Sequence, residues 1–182
     1  MACLILFALV ALVAVTGAVE IAKVPYSKLD YFQIREQLEA LAKQYPGVMQ
    51  LENATEKLGV PYLVECDAAG TQKCVIDIVT ITDVSVSSLD KVQLIVTGSL
   101  NGQDRLGPQV AYYLIEYLVT NFGADFQITQ LLQKREIVIV PIPNAWGFAN
   151  NKEKELAKYK TSPTSTTMQY LYKDAFRDFP YN

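Results

Sequence analysis

The chain has 182 residues, 51% hydrophobic and 19% charged, the composition of one ordinary globular domain rather than a disordered or fibrous protein. A net charge of -3 and a pI near 5.0 give no electrostatic reason to expect nucleic acid, whose phosphates need a concentrated basic surface, so that partner class is set aside. Histidine is absent, which rules out Ser-His-Asp and Cys-His catalysis within this polypeptide.

The opening MACLILFALVALVAVTGAVE carries no charged side chain before Glu20 and places Thr16, Gly17 and Ala18 where a signal peptidase would cut. Residues 1–18 therefore read as a signal peptide, and the mature domain as residues 19–182, destined for secretion or the secretory-pathway lumen. If retained, the same stretch would serve as a signal anchor. No later apolar run is long enough to cross a bilayer, so membrane contact is expected only in that second case.

Next, LDYFQIREQLEALAKQYPG sets Tyr31, Ile34, Leu38, Leu41 and Ala42 on one helical face, with Asp30 as N-cap and Pro46-Gly47 as the stop. VMQLENAT, PYLVECDA and KCVIDIVTIT read as short strands toward the edge of a sheet. Asn53-Ala54-Thr55 inside this region is an N-glycosylation triplet, in keeping with a secretory route. Loss of the leader removes Cys3 and leaves Cys66 and Cys74 flanking a turn at Ala69-Gly70. A disulfide is the expected pairing, because two lone cysteines without histidine fall short of the four ligands of a closed zinc site. Hairpin register is the alternative, holding the two sulfurs apart.

KVQLIVTG is more uniformly apolar and predicts a central strand covered on both faces. Pro108 then begins a helix through QVAYYLIEYLVTNF, with Val110, Leu114, Tyr117 and Leu118 on one stripe and Gly123 at its end. Asp125 caps a further helix, FQITQLLQKR, and EIVIVPIPN returns as a buried strand. This alternation predicts an α/β fold, a layered αβα domain with a mixed sheet. After Asn150 come a mixed-charge run, a polar turn-rich segment and an aromatic ending without clear periodicity.

Two chemical readings come from short spacings. Ser88 and Lys91 form a Ser-x-x-Lys pair, whose alternative is a surface turn before the following strand. TGSLNGQDRLGP, residues 97–108, follows a strand and precedes a helix, where open α/β sheets place ligands.

That loop resembles the metal-binding turn of the zinc carboxypeptidase family (M14, carboxypeptidase A-like). LEALAKQYPGVMQLE resembles the family's first helix and strand. EIVIVPIPNAWGFAN resembles its strand ending in Asn-Pro-Asp-Gly, with Asn144 and Gly147 kept and Ala145 and Trp146 between them. DAFRDFPYN resembles its Asn-Arg segment followed by Asp-Phe-Pro. The resemblance implies the amino-terminal portion of a carboxypeptidase-like domain, incomplete at its carboxyl end.

By the same resemblance the family's metal-binding His falls on Asn101 and its Glu on Asp104. The third ligand, the general base and the pocket Tyr lie beyond Asn182. Asn101 is a poor zinc donor and Asp104, one methylene shorter than Glu, would ligate only with backbone adjustment; at most one usable ligand remains, so no cofactor is expected, although the family uses zinc. Calcium on Asn101 and Asp104 would leave most of its usual six to eight oxygen ligands unfilled, and Asn101 alternatively caps the turn.

Arg177 matches the arginine that holds a peptide's terminal carboxylate, with Phe176 in place of its Asn neighbour; the alternative is an ion pair with Asp174 or Asp178. Lys158 and Lys160 read as a solvated face, and Trp146 and Phe148 as core. The implied function is a catalytically inactive carboxypeptidase-like domain that binds a peptide C-terminus or scaffolds a protein partner. The alternatives are a fragment of a genuine metallocarboxypeptidase and a structural subunit completed by another chain.

Overall fold

The computed structural model describes residues 26–59 and 64–173. The predicted leader, Pro61 to Leu63 of one predicted strand, and Arg177 with Phe176 and its acidic neighbours lie outside the described residues.

Helix α1, Tyr31–Gln44, begins where expected. The Asp30 carboxylate accepts the Gln33 N–H at 2.9 Å while the Gln33 side chain accepts the Asp30 N–H at 2.9 Å, a reciprocal capping box. Tyr31, Ile34, Leu38 and Leu41 are its buried face. Strand β1, Met49–Asn53, runs into a single helical turn, α2 (Ala54–Lys57), whose N-cap is Asn53. Strand β2 is Asp77–Ile81 and β3 is Val92–Thr97. Helices α3, Leu106–Asn121, and α4, Phe126–Lys134, lead to β4, Arg135–Val140. A short helix α5, Ala145–Asn150, precedes a hairpin of β5, Glu155–Lys160, and β6, Met168–Lys173.

The main sheet has the order β1-β2-β4-β3. β1, β2 and β4 pair antiparallel, and β3 pairs parallel with β4 through the α3–α4 crossover, so the sheet is mixed as the layered α/β reading requires. Register sets Met49, Val79, Ile81, Ile137 and Ile139 on one face. These residues join Ile34 and Leu38 of α1 and Ala111, Ile115 and Leu118 of α3 in one buried cluster. Burial of that cluster is the main stabilising term. On the opposite face Ile78, Thr80 and Val138 are half-buried, and Ile95 is 69% exposed.

Several expectations need correction. β3 is not central: it is an edge strand of the described sheet, and Val92, Leu94 and Ile95 are exposed. β2 is internal rather than at the edge, because β4 pairs along its far side. Of PYLVECDA, the described residues Val64 to Ala68 contribute an isolated bridge, Glu65 to Lys73. α3 starts at Leu106, before Pro108, and is rotated relative to the predicted stripe. Ala111, Tyr112, Ile115, Leu118 and Val119 face inward, whereas Val110 and Tyr117 are exposed. A helix this apolar on all sides offers more than one plausible stripe.

Cys66 and Cys74 are joined in a disulfide, with Cα atoms 4.9 Å apart, across a turn where Gly70 takes φ +70°. Asp67 fastens the turn, accepting the N–H groups of Thr71 and Gln72 at 2.9 and 2.8 Å. Both cysteines are buried in the core cluster. The double variant Cys66→Ser with Cys74→Ser is expected to lower unfolding free energy by about 2 kcal/mol, since closing a short loop removes less unfolded-state entropy than a long one. Urea unfolding with and without reductant measures this.

Candidate functional site

The loop between β3 and α3 lies at the carboxyl end of β3 and borders an open cavity of about 800 Å³ that reaches Val110 and Leu114 of α3. Its shape is set by close backbone packing. A Cβ on Gly102 would collide with the backbone of Gly147 and the Lys152 carbonyl, and one on Gly98 with the Pro141 carbonyl. Only glycine permits that approach.

Asn144 is the knot that ties this loop to α5. Almost fully buried, it accepts the Gly147 N–H at 2.8 Å as N-cap and donates to the carbonyls of Leu100 and Glu153 at 2.9 and 3.0 Å. The sequence signal was Asn followed by Gly three residues later, an N-cap spacing read only as a family landmark. Arg105, which the sequence reading passed over, locks the loop from the other side. Its Nη1 donates to the Phe148 carbonyl at 2.6 Å and its Nη2 to Asn151 Oδ1 at 2.9 Å, with the guanidinium 4.4 Å from the centre of the Phe148 ring. Phe148 is core, and Trp146 packs against it from a half-buried position beside Tyr172.

Asn101 and Asp104 are brought onto the same turn, and both are engaged locally. Asn101 Oδ1 accepts the Gln103 N–H at 2.9 Å. The Ser99 hydroxyl lies 2.7 Å from the Asn101 carbonyl and 3.2 Å from Asp104 Oδ2, and the Asp104 N–H donates to the Asn101 carbonyl at 3.1 Å. This is an Asx-type turn satisfying its own backbone. Among the described residues no group of three or more His, Cys, Asp or Glu converges as a metal cage.

The other sequence candidates lie apart from this loop. Lys91 turns away from Ser88: its ammonium donates to Thr82 Oγ1 and the Asp83 carbonyl, each at 2.7 Å, so the Ser-x-x-Lys pair is not assembled. Lys158 sits 3.5 Å from Glu65 and over the Tyr170 ring at 5.9 Å. Asn53 caps α2 on the far edge of the sheet.

One titratable group stands out beside the loop. Glu155 on β5 turns its carboxyl inward toward α5, and one of its oxygens is buried without a hydrogen-bond partner among the described residues. Burial pushes its pKa up to about 7, against the opposing pull of the Leu156 and Trp146 N–H groups. Nothing in its neighbourhood pattern distinguished it within a mixed-charge run.

The family model for zinc carboxypeptidase matches residues 34–182. The chain belongs to the zinc carboxypeptidase family. Carboxypeptidase D from Anas platyrhynchos is 38% identical over 56 residues, which is 31% of this chain and 4% of that protein. The solved structure of thrombin activatable fibrinolysis inhibitor superposes with a TM-score of 0.58 at 11% identity, covering 76% of this chain and 32% of that one. Carboxypeptidase A from Helicoverpa armigera superposes with a TM-score of 0.55 at 17% identity, covering 75% and 31%. At these identities the superpositions establish a shared fold. This chain spans 4% of the length of the curated relative and about a third of each solved one.

The donors at the two positions assigned by resemblance do not fit a zinc carboxypeptidase centre. An Asn amide oxygen is a hard, neutral donor, inferior to imidazole for zinc, and here it accepts the Gln103 N–H. Asp104 offers one carboxylate, shared with Ser99. A catalytic zinc is held by three protein ligands with a fourth position open to water.

Among the described residues no helix is long and apolar enough to cross a membrane.

Proposed function

We propose that this chain is a secreted, catalytically inactive member of the zinc carboxypeptidase family that binds a peptide carboxyl terminus. The observation that supports the reading is the donor set of the turn at Asn101 and Asp104, an amide and one carboxylate hydrogen-bonded with Ser99 and Gln103, where the family resemblance expects an imidazole and a glutamate. A donor set too poor to hold zinc would leave the family's hydrolytic nucleophile, a bound water with its pKa lowered to about 7, without the ion that activates it. Arg177 is the proposed carboxylate anchor, since a guanidinium matches a carboxylate bidentately. The apolar leader is the support for secretion.

The purified 182-residue chain, dialysed against zinc, is expected to retain no stoichiometric metal and to release no amino acid from a peptide with an unblocked carboxyl end. Zinc-dependent release would overturn the inactive reading. Calorimetric titration with the same peptide tests the binding half: Arg177→Ala is expected to weaken binding about tenfold or more, the worth of one charge-assisted hydrogen bond. Equal heats for the two proteins would remove the carboxylate pocket.

A second reading is favoured by β3. This edge strand holds no charged residue from Val92 to Thr97, and its one flanking cation, Lys91, is turned onto Thr82 and Asp83. An unguarded apolar edge invites a strand from another chain, which would make the protein a structural subunit. A soluble, cooperatively unfolding monomer in sedimentation would leave that reading without its motive.

A further inference from the structure

We propose that Asn53 carries an N-linked glycan, added before α2 closes, and that the sugar and the helix cap coexist because they use different atoms of one amide. The proposal rests on the secretory reading of the leader. Asn53-Ala54-Thr55 is the one Asn-x-Ser/Thr triplet in the 182 residues.

The atoms are divided as follows. Asn53 Oδ1 accepts the N–H groups of Thr55 and Glu56 at 3.0 and 3.2 Å, and it also accepts the Thr55 hydroxyl. Every one of these bonds falls on the oxygen. Among the described residues Nδ2, the nitrogen that sugar would occupy, makes no hydrogen bond. The surroundings leave room for a large substituent: β1 is the outer strand of the described sheet, Glu56 and Lys57 are exposed, and Leu58 is 77% exposed.

Glycan transfer would form a bond from Nδ2 to the anomeric carbon of an oligosaccharide supplied as a lipid diphosphate. The bond from that carbon to the diphosphate oxygen breaks with its electron pair staying on that oxygen, and one of the two Nδ2 protons leaves with the departing lipid diphosphate. Oδ1 is untouched, so all its accepted bonds survive.

The folded geometry also orders the events. Thr55 is 7% exposed, and its hydroxyl is turned onto Asn53 Oδ1. A transferase that reads the Thr hydroxyl has no access to it until α2 opens. Modification therefore belongs to the chain as it enters the lumen, and the folded protein is a poor acceptor.

The test expresses the 182-residue chain in eukaryotic secretory cells, once behind its own leader and once with residues 1–18 replaced by an unrelated signal sequence. Mass and gel mobility are compared before and after peptide-N-glycosidase. One glycan is expected on the parent and on Thr55→Ser, and none on Thr55→Ala or Asn53→Gln. An unglycosylated chain recovered from the lumen behind the unrelated signal overturns the assignment. A glycan seen only behind that signal supports Asn53 and counts against the native leader instead. For the timing, bacterially made folded protein and an unfolded peptide of residues 49–58 are offered to transferase with a lipid-linked donor. The folded protein is expected to react about tenfold or more slowly, because reaction awaits local opening; equal rates overturn the ordering.

Discussion

Arg35→Met is expected to lower the unfolding free energy by about 3–5 kcal/mol at neutral pH, the usual result of leaving one half of a buried ion pair alone. Arg35 Nε donates to Asp77 Oδ2 at 2.7 Å, joining α1 to the start of β2 beneath the Tyr31 ring. Asp77 is buried. Burial already raises its pKa above the ordinary carboxylate value, and Arg35 only partly offsets that cost. Removing the guanidinium leaves an acid whose folded pKa is raised further. Such a group favours the fold most below its unfolded pKa, and the stability it contributes is lost as pH rises through the folded value. The variant should therefore lie closest to the parent near pH 3 and diverge from it toward pH 7, a trend that urea midpoints at several pH values will show. Pairing Arg35→Met with Asp77→Leu is expected to recover most of the loss, because an apolar pair has no charge to desolvate. A single variant as stable as the parent at pH 7 would mean that Asp77 finds water or another donor.

What the sequence made legible follows from how local each signal is. Helix α1 was readable to its cap because Asp30, the apolar spacing and Pro46-Gly47 all act within a few residues. Asp125 at the head of α4 was readable for the same reason, as its carboxylate accepts the Gln127 and Ile128 N–H groups at 2.7 and 3.0 Å. β3 misled because uniform apolarity reports that a surface is fit for covering, and the covering surface need not belong to the described residues. The stripe on α3 was ambiguous, since Val110 and Ala111 are both apolar and only the packing against β2, β3 and β4 selects between them. The β5–β6 hairpin was missed because Lys158, Lys160, Tyr170 and Tyr172 carry no clean alternation of polar and apolar side chains. For the loop, Asn101 and Asp104 were legible as residue types in a family pattern. The hydrogen bonds that engage them depend on Ser99 and Gln103, and the anchoring by Asn144 and Arg105 spans some forty residues of sequence, beyond any local rule.

Glu155→Gln is the second substitution with a large expected effect, and its sign depends on pH. The parent carboxyl has a folded pKa of about 7 against an ordinary value of 4.5. The fold thus prefers the protonated acid: its contribution is complete below pH 4.5 and drains away as pH climbs to 7, where the buried oxygen is ionised with no donor of its own among the described residues. Each pKa unit corresponds to about 1.4 kcal/mol, so the parent is expected to lose roughly 3 kcal/mol over that interval from this group. Glutamine keeps the length and acceptor of the side chain and stays neutral throughout. The variant should match the parent near pH 4, exceed it by roughly 3 kcal/mol at pH 8, and show a flatter dependence between them. Because Glu155 abuts the α5 turn that Asn144 ties to the Asn101 loop, its ionisation also pushes on the candidate site. Amide hydrogen exchange at Gly102 and Gly147 is therefore expected to quicken in the parent between pH 5 and pH 8 by more than the chemical rate alone, and to show no such excess in Glu155→Gln. A parent whose stability stays level across that range would place the Glu155 carboxylate in contact with water and remove the desolvation cost on its ionisation.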